Sequence, residues 1–111
     1  MKTQREFLPT DRYYFDFKKC TSSKGWAQVD TSQDASYFGT WANPFDLKVI
    51  TYAEGDVTIQ TADNVAEFKE EIKKMKDWNE ENGHEFSGID ALCNERLKNR
   101  FTEIGMSEFL H

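Results

Sequence analysis

The residues best suited to do chemistry are concentrated in one stretch, 30–45, which reads DTSQDASYFGTWANPF. Acidic, amide and hydroxyl side chains alternate there with aromatic rings, and exposed aromatics flanked by polar groups are typical anchors of protein–protein contacts. Trp41 is the expected anchor, and Asp30 and Asp34 would supply acceptors for a basic or hydrogen-bonding partner. The candidate binding residues are Asp30, Gln33, Asp34, Tyr37 and Trp41.

The same stretch also has a purely structural interpretation. Asp30 and Asp34 flank Thr31-Ser32-Gln33, which is typical of a turn whose side chains bond the local backbone. Strand alternation places Tyr37 and Trp41 on one face and Phe38 on the other, so either both faces are covered or an aromatic ring is exposed. Gly39 inside this segment indicates a bulge or a close approach to the backbone.

Catalysis has weaker support in the sequence. Carboxylates at Asp30, Asp34 or Asp56 could serve a small carboxylate-dependent enzyme, with or without a divalent metal, and this is the alternative hypothesis. His84 and His111 are the two histidines, and neither belongs to a nucleophile motif. Zinc-binding spacings and Gly-rich phosphate loops are lacking in the sequence. We therefore predict no catalytic residue, no metal ligand and no cofactor.

Composition narrows the class of partner. The 111 residues fit a single domain spanning 1–111, and the formal net charge is −6. An acidic chain opposes binding to nucleic acid or to an anionic membrane but leaves a basic partner protein open. The N-terminus lacks the apolar run of a signal peptide, and no segment approaches the roughly 20 apolar residues that span a bilayer. We expect a cytoplasmic protein with Cys20 and Cys93 reduced.

Strand patterns dominate the first half of the chain. Residues 1–10 are polar and predict an arm. Strands are predicted at 13–18, 26–30 and 37–41, followed by a hairpin of 47–53 and 56–62 around Glu54-Gly55. In the register that this turn favours, Ile50 pairs with Ile59 and Tyr52 pairs with Val57, so that four apolar side chains share a face.

Helix patterns follow the strands. Asn64 and Glu67 form a capping signature before a helix over 64–82, which carries an apolar stripe of Val65, Phe68, Ile72 and Met75, continued by Trp78. A second helix is predicted over 91–104. Because the strands precede the helices, we predict an α+β fold with an antiparallel sheet of four to five strands and two C-terminal helices. The first helix should pack its stripe against the four paired hairpin residues.

Two segments carry a resemblance: the stretch 30–45, and the ending from Gly88-Ile89-Asp90 to Phe109-Leu110-His111. They resemble small uncharacterised proteins encoded by bacteriophages and other mobile elements, and the turn Glu54-Gly55-Asp56 between them fits as well. The resemblance implies a small accessory protein in a bacterial cytoplasm, of a class that often binds and inhibits a host factor, and it assigns no site residues. The leading hypothesis is therefore a non-enzymatic protein-binding module whose partner is unidentified.

Overall fold

An antiparallel sheet organises the molecule in the computed structural model, which describes residues 2–7, 22–30, 38–53, 56–92 and 94–110. Within these residues the strands are β1 (Lys2–Phe7), β2 (Ala27–Val29), β3 (Phe38–Asn43), β4 (Lys48–Ala53), β5 (Asp56–Thr61) and β6 (Ile89–Asp90). Their order across the sheet is β1-β5-β4-β3-β2-β6. Five strands precede two C-terminal helices, which confirms the predicted α+β class; the two-residue β6 lies between the helices in sequence.

The hairpin of β4 and β5 has the predicted register. Ile50 lies opposite Ile59, Tyr52 opposite Val57, and Thr51 opposite Thr58. This register follows from side-chain alternation, since a slip of one residue would move every apolar side chain to the other face of the sheet.

The N-terminal segment differs from the prediction, because β1 occupies Lys2–Phe7 within the predicted arm. This strand pairs antiparallel with β5, from Lys2 opposite Thr61 to Phe7 opposite Asp56. The sequence KTQREF has no alternation of apolar and polar residues. A strand that forms through backbone hydrogen bonds alone cannot be recognised from side-chain periodicity. The strand predicted at 13–18 lies outside the described residues.

Both helices begin at asparagine caps. Helix α1 (Val65–Glu81) starts after Asn64, whose Oδ1 accepts from the backbone N of Glu67 at 2.9 Å. The Glu67 carboxylate accepts in turn from the backbone N of Asp63 at 3.1 Å. Helix α2 (Glu95–Glu103) starts after Asn94, whose side chain accepts from Leu97. Neither described helix combines the length and apolar character needed to cross a membrane.

Among the residues described, the buried apolar side chains form two clusters, on opposite faces of the sheet. Phe68 and Ile72 of α1 pack with Val49 of β4 and with residues of α2. The other cluster consists of Trp41, Ile50, Tyr52 and Val57, with Trp26 and Ile59 against it. The predicted contact of the α1 stripe with Ile50, Tyr52, Val57 and Ile59 is therefore wrong. Adjacent strand residues point to opposite faces, and α1 lies on the Val49 face.

Candidate functional site

Asp30, the first of the predicted binding residues, is buried just after β2 with 2% of its surface exposed. One carboxylate oxygen accepts from Asn79 Nδ2 at 2.7 Å, and the other accepts from the backbone N and the Oγ of Ser87 at 3.3 and 3.2 Å. Its backbone N donates to the carbonyl of Gly88 at 2.8 Å. Asp30 thus joins α1 and the segment before β6 to the sheet.

Trp41 lies in the second apolar cluster, with 4% of its surface exposed. Its ring covers the backbone of Gly39, where an added β-carbon would collide with the indole. This confirms the close approach predicted at Gly39, and it gives Trp41 a packing role in the fold. Gln33, Asp34 and Tyr37 lie outside the described residues.

Residues 43–45, at the end of the stretch 30–45, contact α2 and hold it against the sheet. The Asn43 side chain is buried, and its Oδ1 accepts from the backbone N of Phe45 and of Asp46, each at 3.0 Å. Arg96 of α2 places its guanidinium 4.1 Å from the centre of the Phe45 ring, and Arg100 Nε donates to the carbonyl of Pro44 at 3.1 Å. Polar and aromatic residues at 43–45 therefore serve a turn and a helix contact.

A groove of about 320 Å³ opens between α1 and the sheet. The sheet contributes Thr40, Thr51, Tyr52 and Ala53, and α1 contributes Glu71, Lys74, Met75, Trp78 and Asn79. Asn79 also donates a hydrogen bond to Asp30, so the buried contact between these two side chains adjoins the wall of the groove. A concave site with apolar walls and a few polar groups is the usual form of a binding site.

The sheet side of the groove carries a row of hydroxyl groups. Thr40 on β3 lies opposite Thr51 on β4, which lies opposite Thr58 on β5. Side chains directly opposite in an antiparallel pair have β-carbons about 4.5–5.5 Å apart. Thr40 is buried, Thr51 is exposed and Thr58 is half-buried, and of the three Thr40 and Thr51 line the groove.

Trp78 is the aromatic residue that α1 leaves exposed at this groove, with 58% of its surface accessible. Its ring stacks on His84, with centroids 5.9 Å apart and planes inclined by 17°. The backbone N of His84 donates to the carbonyl of Asn79 at 2.7 Å, which holds the turn after α1 against the helix end. Sequence reasoning assigned Trp78 to the apolar stripe and so missed it as a candidate binding residue.

Charges on the groove and on α1 are arranged in ion pairs. Lys74 Nζ lies 3.2 Å from Glu71 Oε1, with 64% of the lysine side chain and 20% of the glutamate side chain exposed. On another face of α1, the hydrogen bond and charge of Glu80 raise the pKa of Lys76, whose Nζ lies 3.0 Å from Glu80 Oε1. Lys76 and Glu80 thus form an exposed ion pair of the kind common on helix surfaces.

Carboxylates of the enzyme hypothesis are far apart where they are described. Asp30 follows β2 and Asp56 begins β5, with β3 and β4 between them. Three strand spacings amount to roughly 14 Å, whereas ligand oxygens lie about 2.3–2.6 Å from a calcium ion. Over the described part of the chain, no three His, Cys, Asp or Glu residues are grouped to hold a metal ion.

Comparison with known proteins gives no relative for this fold or site: no protein-family model, no curated protein and no solved structure matches the chain. Function must therefore be inferred from the described residues and their chemistry.

Proposed function

We propose that this chain is a small accessory protein of a bacteriophage or other mobile element that acts in a bacterial cytoplasm by binding another protein, without catalysis of its own. The observation that carries the proposal is Trp78, a large aromatic side chain that stands exposed on the rim of the groove. Tryptophan is among the residues that contribute most to binding energy at protein interfaces. We name this surface the Trp78 groove, defined by Thr40, Thr51, Met75, Trp78 and Asn79.

Two elements beside this groove flank, in sequence, the candidate residues Gln33, Asp34 and Tyr37. Segment 31–37 joins Asp30 to Phe38. Asp30 bonds Asn79 in the groove wall, and Phe38 begins the strand that contributes Thr40. Chain connectivity therefore ties both ends of the segment that carries Gln33, Asp34 and Tyr37 to elements of the groove. This connectivity supports our proposal that the segment 31–37 and the Trp78 groove belong to one binding surface.

Replacing Trp78 by alanine should abolish capture of the partner from bacterial lysate, because the substitution removes the aromatic contact area at the groove rim. The measurement is affinity capture with tagged wild-type protein and its variants, followed by mass spectrometry. The matched control is Leu92→Ala, since Leu92 is also a large exposed apolar residue, with 48% of its surface accessible. A protein captured equally by Trp78→Ala and wild type would place the binding surface elsewhere.

Replacing Gln33 or Asp34 by alanine should weaken capture of the same partner while leaving the melting temperature nearly unchanged. These are the polar residues that the sequence assigns to recognition, and removal of surface hydrogen-bonding groups usually changes stability by less than about 0.5 kcal/mol. Binding and thermal unfolding are measured on the same preparations. Normal capture by both variants, or unfolding of both, would assign the segment to the fold and not to the site.

A further inference from the structure

We infer that the Trp78 groove accepts an arginine side chain from a basic segment of the partner protein. This inference rests on the proposed function and adds the chemistry of the partner. It depends on three features of the groove: the charge around it, the aromatic ring on its rim, and the polar groups that line it.

The charge at the C-terminal end of α1 favours a cation. Asp77 and Glu80 form exposed ion pairs with Lys73 and Lys76, and Glu81 adds a further acid at this end of the helix. The last turn of α1 holds no basic residue, although the C-terminal end of a helix carries a partial negative charge that a base would normally offset. The acidic side chain of Glu81 and the helix end have the same sign of potential, so together they favour a cation over an anion at the Trp78 end of the groove.

The rim offers the two contacts that a guanidinium group uses best. The Trp78 ring stacks on His84 on one side, so an incoming cation would lie over the other face, where arginine also stacks through its planar group. Glu71 lines the same groove, and its partner Lys74 has 64% of its side chain in solvent. A flexible exposed lysine can leave the Glu71 carboxylate when a cation binds. The fold already contains this kind of pairing, because Arg96 lies 4.1 Å from the centre of the Phe45 ring.

The interior of the groove suits a ligand with many hydrogen-bond donors. Thr40 and Thr51 contribute hydroxyl oxygens, and Asn79 uses its Nδ2 as the donor to Asp30, which leaves Oδ1 as the amide atom able to accept. A guanidinium group has five donors and no acceptor. Its methylene stem would pack against Met75, since long cationic side chains bury their stems on apolar surface.

The test uses the full chain, labelled with ¹⁵N, and two blocked peptides titrated in NMR spectra. One peptide is Ac-Gly-Ser-Arg-Ala-Arg-Ser-Gly-amide, and the other replaces each arginine by citrulline, which keeps the shape and removes the charge. We expect the arginine peptide to shift the Trp78 indole signal and the amides of Thr40, Thr51 and Asn79. The citrulline peptide should bind at least about fivefold more weakly, and high salt should weaken the arginine peptide selectively.

Three variants test the role of the Glu71 carboxylate. Glu71→Gln should weaken the arginine peptide roughly two- to fivefold, which corresponds to the loss of one exposed ion pair. Glu70→Gln is the matched control, because Glu70 is adjacent in sequence but lines a different groove, beside Phe109. Lys74→Gln should tighten binding of the arginine peptide by a similar factor, since the incoming cation no longer competes with Lys74 for Glu71.

The outcomes separate this inference from the proposed function. Equal binding of both peptides, or arginine-dependent shifts away from the groove, would overturn the cationic ligand. A second outcome would also overturn the cationic ligand: the arginine peptide causes no NMR shift, although Trp78→Ala abolishes capture of the lysate partner. That outcome would leave the proposed function intact. If Trp78→Ala retains the lysate partner yet loses the arginine peptide, the peptide site is supported and the proposed partner surface is wrong.

Discussion

Replacing Phe68 by alanine should lower the free energy of unfolding by about 3–5 kcal/mol. Phe68 is fully buried in the larger apolar cluster, between α1 and the sheet face that bears Val49. Truncation removes the transfer free energy of the ring and leaves a cavity that the surrounding strands and helices fill only in part. The measurement is urea-induced unfolding followed by circular dichroism, with the midpoint and the slope both compared with wild type.

Trp78→Ala on the same helix is the control for this prediction. Trp78 is a larger aromatic residue, but 58% of its surface is exposed, so its truncation should change stability far less than that of Phe68. Phe68→Leu extends the test if the alanine variant does not fold, because a smaller loss of volume should give a smaller loss of stability. A Phe68→Ala variant as stable as Trp78→Ala would contradict the packing of α1 on the sheet.

The hairpin and helix caps could be predicted from the sequence because their signals are local. The residue types Glu54-Gly55 predict the pairing of Ile50 with Ile59, which the register of β4 and β5 confirms. Asn64 with Glu67 marks the start of α1. Each signal depends on residues only a few positions apart. The face of the sheet that α1 covers is a long-range property. Because β4 is apolar at both Val49 and Ile50, side-chain alternation alone cannot choose between its two faces.

Two tryptophans differ from the roles that the sequence suggests. Trp41, the suggested binding anchor, is buried, whereas Trp78, which continues the predicted helix stripe, is exposed. In an α-helix each residue advances by about 100°, so Asn79 lies roughly 20° and Trp78 roughly 80° from the direction of Phe68. The inward position at this end of α1 therefore belongs to a polar residue. A search for apolar residues along the helix passes over Asn79 and selects Trp78 instead.

Asn79 and Asp30 also show why a buried polar contact escapes sequence reasoning. The residue types around Asp30 are those of a turn or a binding loop, and its partner Asn79 is 49 residues away in sequence. No periodicity relates two single polar residues on different elements. The contact exists because α1 crosses the sheet beside the end of β2, which only the three-dimensional arrangement reveals.

Replacing Asp30 by alanine should lower the free energy of unfolding by about 2–5 kcal/mol. The substitution removes the acceptor of Asn79 Nδ2 and of Ser87, and a buried group that loses its partner costs about 1–3 kcal/mol. The backbone adds a second term, because Asp30 has φ = 57°. Alanine in this left-handed region is less favourable by roughly 1–2 kcal/mol, whereas aspartate and asparagine tolerate it.

Three companion variants separate these terms in urea unfolding. Asp30→Gly removes the carboxylate without the backbone penalty, so it should be more stable than Asp30→Ala by roughly 1 kcal/mol. Asn79→Ala removes the other side of the contact, and the double variant with Asp30→Ala should lose less stability than the sum of the two single losses. Strict additivity would mean that the two side chains do not act together. Asp30 bonds Asn79, which lines the Trp78 groove, so Asp30→Ala should also weaken binding of the arginine peptide. Because Asp30 itself does not contact the peptide, this result would make it a positioning residue for the site.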